Sequence, residues 1–217
     1  TPSLMSLGEV ETIFHEFGHA MHFMLSDTKY KSHNGFHVAW DFVEAPSQIM
    51  EEWVMDAKVL KILGKNYKTG KRLDDNTIQN IIASKKLMQS YGYMRQLIQT
   101  KLDLDIHLGR AGDNYTEYYR KMMKKYFKID ISPRSLFPAG FGHMDGYDSG
   151  YYSYLWAEVY AADFFSKFKG DVFNQEIGRK YRKEILSVGA SRDEVVSARK
   201  FLGRISTAKA FLDSISK

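Results

Sequence analysis

The sequence predicts an all-α protein, a multi-helix array rather than a simple bundle. Apolar residues recur at helical spacing along most of the chain, and no convincing alternation of apolar and polar residues predicts a strand. Proline and glycine concentrate in residues 129–150, so this stretch is predicted to lack regular structure. The sequence shows no repeats or linker-like stretches, which favours one domain, or a piece of a larger one.

Local signals place the individual helices. Ser6 and Glu9 form a capping-box pattern, so the first helix is expected to begin there and to end near Leu25. A second helix is expected over 42–63, with Pro46 in its first turn, where a missing N–H costs little. The remaining predicted segments are a polar loop at 30–40, helices at 76–108 (bent near Gly92), 115–127 and 151–168, and shorter helices from about Asn174, Ser191 and Thr207.

Composition excludes several classes of protein. The chain has no cysteine, so neither a disulfide nor a thiolate zinc site is available, and we expect a reducing, cytoplasmic location. No apolar run approaches the ~18 residues that span a bilayer, so no membrane partner is predicted. The net charge of +5 is spread along the chain. Its densest stretch, residues 121–128, has the spacing of a solvated helix face, so no nucleic-acid partner is predicted.

The run His15-Glu16-Phe17-Gly18-His19 carries the strongest chemical signal. On a helix, His15 and His19 share one face about 6 Å apart along the axis, and their imidazoles can take two corners of a tetrahedral zinc site. Glu16 projects beside them, where it can accept a proton from zinc-bound water. Gly18 costs about 1 kcal/mol relative to alanine inside a helix, which indicates that something approaches that face closely.

A catalytic zinc needs a third protein ligand. His22 lies about 10 Å along the helix from His15, too far for both to bind one ion. The pattern with a third histidine at position 25 fails because that residue is Leu25. A carboxylate from the second helix remains, and spacing alone does not separate its three candidates, Glu44, Glu51 and Glu52.

Two longer motifs resemble the thimet oligopeptidase, neurolysin and dipeptidyl carboxypeptidase family of metallopeptidases. They are His15-Glu16-Phe17-Gly18-His19-Ala20-Met21-His22 and Asp41-Phe42-Val43-Glu44-Ala45-Pro46-Ser47-Gln48, and Phe201-Leu202-Gly203-Arg204 is similar to the family's closing segment. The resemblance implies Glu44 as the third ligand of one Zn²⁺ per chain and Glu16 as the general base. It covers the whole chain but only the carboxy-terminal part of the family's catalytic unit, so we expect 1–217 to be a fragment of that domain.

Residues 141–154 form a second candidate region, rich in glycine, tyrosine and histidine. Tyrosine hydroxyls and histidine N–H groups can stabilise the negative charge that develops on a carbonyl oxygen during acyl transfer, although the same tyrosines could simply pack a helix. The resemblance implies catalytic roles for His143, Tyr147 and Tyr154 and substrate binding by Tyr151. The tyrosine spacing matches the family, whereas the interval from His143 to Tyr147 is one residue shorter. His37, in the loop before Glu44, is a further substrate-binding candidate or an exposed loop histidine.

The resemblance implies a zinc-dependent peptidase that hydrolyses short peptides through a zinc-activated water and a glutamate base. The alternative is a non-catalytic, zinc-containing helical binding module, or a fragment that is inactive when isolated. Metal-bound histidines usually donate their other N–H to a neighbour, and the candidates for this role are Glu11, Glu51 and Glu52. Oligomeric state and the choice between endopeptidase and dipeptidyl carboxypeptidase stay open at this point.

Overall fold

A computed structural model describes residues 3–87 and 89–216 of the chain. Regular structure in these two ranges is helical, apart from an isolated antiparallel bridge between Lys65 and Arg72, and the predicted all-α class is confirmed. The α-helices are α1 (Leu7–Met24), α2 (Trp40–Val43), α3 (Ala45–Val54), α4 (Ala57–Leu63), α5 (Asp75–Lys86), α6 (Gln89–His107), α7 (Tyr115–Phe127), α8 (Tyr152–Phe165), α9 (Gln175–Tyr181), α10 (Glu194–Leu202) and α11 (Lys209–Ile215). Within the described ranges, none of these helices has the length and apolar character needed to cross a membrane.

Two compact units make up the described chain: residues 3–87 with 156–216, and residues 89–155. The first unit has an aromatic core in which Phe164 of α8 meets Phe201 of α10 edge to face, with ring centroids 5.5 Å apart. Phe42 and Ile49 join this core from α2 and α3. The apolar face of α3 is thereby buried.

The second unit has its own small core between α6 and α7. Ile98 and Leu102 of α6 pack with Met122 and Met123 of α7, and Phe141 from the irregular segment completes the cluster. The hydrophobic face of α7 follows the 3.6-residue period expected of a helix that buries one side. The glycine-rich segment is therefore attached to a packed core through Phe141.

Several predicted elements are confirmed. Ser6 and Glu9 form both bonds of the capping box at the start of α1, and α7 occupies the predicted residues. Pro46 lies in the first turn of α3. In residues 129–150, the structure has only two short 3₁₀ turns, Phe137–Gly140 and Gly142–Met144.

Two predicted continuous helices are wrong because each is interrupted. The expected helix at 42–63 is three helices, since Pro46 starts a new helix at α3 and Asp56 caps another, accepting hydrogen bonds from the N–H groups of Lys58 and Val59. The expected helix at 76–108 ends at Lys86 instead of bending at Gly92, which lies inside α6. The residues around this second break include neither proline nor glycine, so no local breaker in the sequence marks it.

The carboxy-terminal segment is tied to α8 through a buried carboxylate. Asp163 accepts hydrogen bonds from the Arg204 guanidinium, from the Ser206 hydroxyl at 2.9 Å and from the Thr207 N–H at 3.0 Å. Gly203 ends α10 with φ of 78°, a left-handed conformation that favours glycine and turns the chain toward Asp163. The Phe201-Leu202-Gly203-Arg204 motif thus combines a core aromatic residue, a helix stop and an ion pair.

Candidate active site

The candidate metal centre lies where α1 meets the amino-terminal end of α3. Gly18 allows this contact: a Cβ at position 18 would lie 2.3 Å from the carbonyl oxygen of Pro46 and 2.5 Å from Cα of Ser47. Both distances are far inside van der Waals contact, so only glycine fits against the backbone of α3. The close approach brings Glu44, the residue immediately before α3, next to the histidine face of α1.

His15, His19 and Glu44 converge. Glu44 Oε2 lies 3.2 Å from His15 Nε2 and 3.1 Å from His19 Nε2. The Ser47 hydroxyl donates to the same carboxylate oxygen at 2.8 Å and fixes its orientation. One ligand atom from each of the three residues lies within 4.8 Å of the other two. The arrangement offers two imidazole nitrogens and one carboxylate oxygen to a single ion.

Burial and charge make this site favourable for a cation. Burial alone would raise the pKa of Glu44, but hydrogen bonds from His15, His19 and Ser47 hold it well below its usual value, so the carboxylate stays ionised. Burial alone would lower the pKa of His15, but the neighbouring carboxylates of Glu44 and Glu51 raise it to about 10. A positive charge is therefore stabilised where the side chains meet.

Glu51, one of the three candidates for contacting a metal-bound histidine, takes that position. Its Oε1 lies 2.6 Å from His15 Nδ1, on the side of the ring opposite Glu44. Glu11 instead pairs with Lys85, and Glu52 is exposed. A carboxylate on the second ring nitrogen fixes the tautomer and the orientation of a metal-binding histidine. With Nδ1 of His15 held by Glu51, Nε2 is the ring nitrogen that faces Glu44 and would serve as the ligand atom.

The donor set fits zinc. Two histidines and one carboxylate, with room for a water, are the protein ligands of one common class of catalytic zinc site. Ligand atoms of a tetrahedral zinc lie about 3.3 Å from one another, close to the distances of 3.1 and 3.2 Å from Glu44 to the histidines. Softer thiolate ligands are unavailable in a chain without cysteine.

The other candidate residues of the first unit, Glu16, His37 and His22, are not members of the group formed by His15, His19 and Glu44. Glu16 is exposed on α1, directly after His15, and no hydrogen bond or ion pair holds its carboxylate to another described residue. His37 is exposed and its Nδ1 contacts Asn34 Oδ1 at 3.0 Å, so the structure does not bring it into the metal-binding group. His22 is buried; burial and the nearby His19 lower its pKa to about 4, and it too lies outside the group.

The second unit brings four sequence-predicted residues into one aromatic cluster. His143 Nε2 lies 3.2 Å from the Tyr154 hydroxyl, and the Tyr147 and Tyr154 rings stack with centroids 5.2 Å apart. The Tyr151 ring meets His143 edge to face at 5.0 Å, and the Tyr147 hydroxyl contacts Ser153 Oγ at 3.1 Å. Several hydrogen-bond donors are therefore concentrated on one aromatic surface.

Sequence reasoning missed the polar residues of α6 that contact this cluster. Gln99 Oε1 accepts a hydrogen bond from the Tyr151 hydroxyl at 3.0 Å, and the buried carboxylate of Asp103 accepts two backbone N–H groups of the segment that follows Tyr147. The only signal in the sequence was the spacing of Gln99, Asp103 and His107, four residues apart on one helix face. Polar residues at that spacing usually face solvent, so the pattern alone did not identify them.

A helix with His-Glu-x-x-His and a carboxylate from a second helix is typical of zinc metallopeptidases. The chain belongs to Peptidase family M3, whose family model matches residues 1–217. It is 36% identical to Oligopeptidase A of Escherichia coli over 98% of the chain and 32% of that protein. It is also 36% identical to Thimet-like oligopeptidase of Dictyostelium discoideum over 99% of the chain and 33% of the relative, and 35% identical to Saccharolysin of Saccharomyces cerevisiae over 99% and 31%. The chain thus spans about a third of the length of these curated relatives.

Proposed function

We propose that this chain carries the metal site of a zinc-dependent oligopeptidase, which hydrolyses peptide bonds of short peptides. The observation that carries the proposal is the convergence of His15, His19 and Glu44, with Glu16 exposed on the same helix as the two histidines. Membership of Peptidase family M3 and the names of the oligopeptidase relatives support the same activity. On the family resemblance, we further propose that residues 1–217 form the carboxy-terminal part of a longer catalytic domain.

In this proposal, His15, His19 and Glu44 would hold one zinc ion. When bound, zinc would polarise the scissile carbonyl and acidify the attacking water. Glu16 accepts the proton of that water and delivers it to the leaving amine, which requires a carboxylate that is free to exchange partners. Its exposure and its lack of a partner among the described residues meet this requirement. Glu51 holds His15 in the orientation that presents Nε2.

We assign hydroxyl and N–H donors of the aromatic cluster to the stabilisation of charge on the carbonyl oxygen. Tyr154 is the principal candidate, with Tyr147 and His143 beside it, and Tyr151 binds substrate. The contact between His143 and the Tyr154 hydroxyl supports this assignment, because a partner on the hydroxyl restricts its rotation. His37 stays a proposed contact for substrate backbone, which its exposure permits.

Two substitutions at the metal centre test the proposal by separating ligand from base. Glu44→Ala removes a ligand, so bound zinc should fall. Glu16→Gln keeps every ligand but removes the proton acceptor, so zinc content should be unchanged while cleavage of a quenched short peptide falls at least about a hundredfold. Zinc content is measured by atomic absorption and peptide cleavage by fluorescence, in the unmodified protein and in each substituted protein.

Glu52→Gln provides a matched control, because Glu52 is an exposed glutamate outside the metal-binding group. Its zinc content and its cleavage rate should equal those of the unmodified protein. Loss of zinc in Glu16→Gln, or cleavage at the native rate, would show that Glu16 is not the base. Full zinc occupancy without cleavage in the unmodified protein would favour a zinc-containing binding module instead.

A further inference from the structure

Asp103 is a buried carboxylate that lies outside the metal centre, in the second unit. Only 1% of its surface is exposed, and both of its oxygens accept backbone N–H groups from a segment more than forty residues away. Oδ1 lies 2.9 Å from the Ser149 nitrogen, and Oδ2 lies 3.0 Å from the Tyr151 nitrogen. A charged group that is removed from water needs such partners, so this geometry is a specific attachment of the segment to α6.

The attached segment leads into α8 and has an unusual backbone conformation. Ser149 has φ of 60°, a left-handed conformation that residues with a Cβ adopt only when their surroundings impose it. Tyr151 directly precedes α8, where backbone N–H groups have no partner within the helix. Asp103 supplies such a partner from another helix, and its negative charge is favourable at a helix start.

Two neighbours on the same face of α6 extend this attachment. One turn before Asp103, Gln99 accepts the Tyr151 hydroxyl; one turn after it, His107 Nδ1 lies 2.9 Å from Asp103 Oδ1. The Tyr151 ring in turn packs against Tyr154, with centroids 5.2 Å apart, and against His143. Both the backbone and the side chain of Tyr151 are thus fixed by α6.

We propose that Asp103 is a positioning residue for the aromatic cluster. It holds Ser149 and Tyr151 in one conformation, and through Tyr151 it sets the place of the Tyr154 hydroxyl without contacting substrate. The consequence for turnover rests on the proposed function, because it requires Tyr154 to act on the substrate. The consequence for the conformation of the segment does not depend on any activity.

Amide hydrogen exchange, followed by NMR, tests the conformational part in the full chain. In the unmodified protein, the amides of Ser149 and Tyr151 should exchange at least about a hundredfold more slowly than in an unstructured peptide, although Ser149 is exposed. In Asp103→Asn, one accepting oxygen becomes an NH₂ donor, so at least one of the two amides loses its acceptor and should exchange at least about tenfold faster. Asp145→Asn, an exposed position in the same segment, makes the same charge change and should leave both rates unaltered.

Turnover and its dependence on Tyr154 test the functional part. Asp103→Asn should keep its zinc and lower kcat for a short peptide by about ten- to a hundredfold, because small misplacements of a catalytic group are costly. In a Tyr154→Phe background the same substitution should have little further effect, since the group that it positions is already absent.

Each outcome decides one part of the inference. Unprotected Ser149 and Tyr151 amides in the unmodified protein would overturn the attachment, and this measurement stands even where Asp103→Asn does not fold. Fully additive effects of Asp103→Asn and Tyr154→Phe on kcat would overturn action through Tyr154. An unmodified protein that cleaves no peptide refutes the proposed function instead, while the exchange rates still judge the role of Asp103.

Discussion

Replacing Gly18 with alanine should damage the metal centre, although alanine is the better helix former. Inside a helix, glycine to alanine is worth about 1 kcal/mol in favour of alanine. Here the new methyl group would lie 2.3 Å from the carbonyl oxygen of Pro46 and 2.5 Å from Cα of Ser47. Both contacts are with backbone, so no side-chain rotation relieves them, and α1 and α3 must separate.

The required separation can be read from the structure. Ordinary contact at a Cβ begins near 3.4 Å, so the methyl group and the Pro46 oxygen must move apart by about 1.1 Å. Overpacking of this kind costs about 1–3 kcal/mol, which is at least as large as the gain of about 1 kcal/mol in helix propensity. Glu44 immediately precedes α3 and lies only 3.1 Å from His19 Nε2, so the same movement pulls a ligand away. We expect a net loss of up to about 2 kcal/mol of stability and a weakening of zinc affinity by about ten- to a hundredfold.

Denaturant unfolding of the metal-free protein gives the stability, and competition with a chromophoric chelator gives the zinc affinity. Gly8→Ala is the matched control, because Gly8 lies in the same helix and a Cβ there meets no atom within 4 Å. It should raise the free energy of unfolding by up to about 1 kcal/mol and leave zinc affinity unchanged. A Gly18→Ala protein that is as stable as Gly8→Ala and binds zinc equally well would refute the reasoning.

Two further predictions concern the carboxylates. Glu51→Gln should weaken zinc binding by about tenfold, because His15 loses the charged partner of its Nδ1, while Glu52→Gln should bind zinc normally; chelator competition measures both, and equal affinities would contradict the role of Glu51. Burial would raise the pKa of Asp163, but the hydrogen bonds from the carboxy-terminal segment hold it below its usual value of 3.8. The ionised form of Asp163 therefore contributes its full stabilisation above about pH 3.8, the usual pKa of the group. This stabilisation is lost as the pH falls through the lowered pKa of the folded protein. Asp163→Asn should flatten the acid dependence of the unfolding free energy, whereas a control at the exposed Asp130 should not.

The sequence predicted the helices and motifs that depend on local information. The capping box at Ser6 and the i, i+4 histidines are local, so their place on α1 followed from the period of the helix. Spacing could not choose among Glu44, Glu51 and Glu52, because the choice depends on how closely α3 approaches α1. That approach is set by Gly18, whose mid-helix position was the one hint of it in the sequence.

Contacts between distant residues were beyond sequence reasoning for the same physical reason. Asp103 meets the N–H groups of Ser149 and Tyr151, which lie 46 and 48 residues further along the chain, and nothing within either segment indicates the pairing. The break after Lys86 also lacks a proline or glycine signal, so tertiary context decides it. Candidate metal ligands were easier to propose, because the chemistry of metal binding restricts them to a few residue types.

The attachment at Asp163 makes the end of the described chain an internal part of the fold. A buried carboxylate that loses its partners costs about 3–5 kcal/mol, so a protease cut after Gly203 would strand the Asp163 charge beside Phe164 in the core. Loss of the residues that follow Gly203 would thus destabilise α8, the helix that carries Phe164. A chain cut at this point would therefore lose stability in the core around α8, and not only in the segment that follows Gly203.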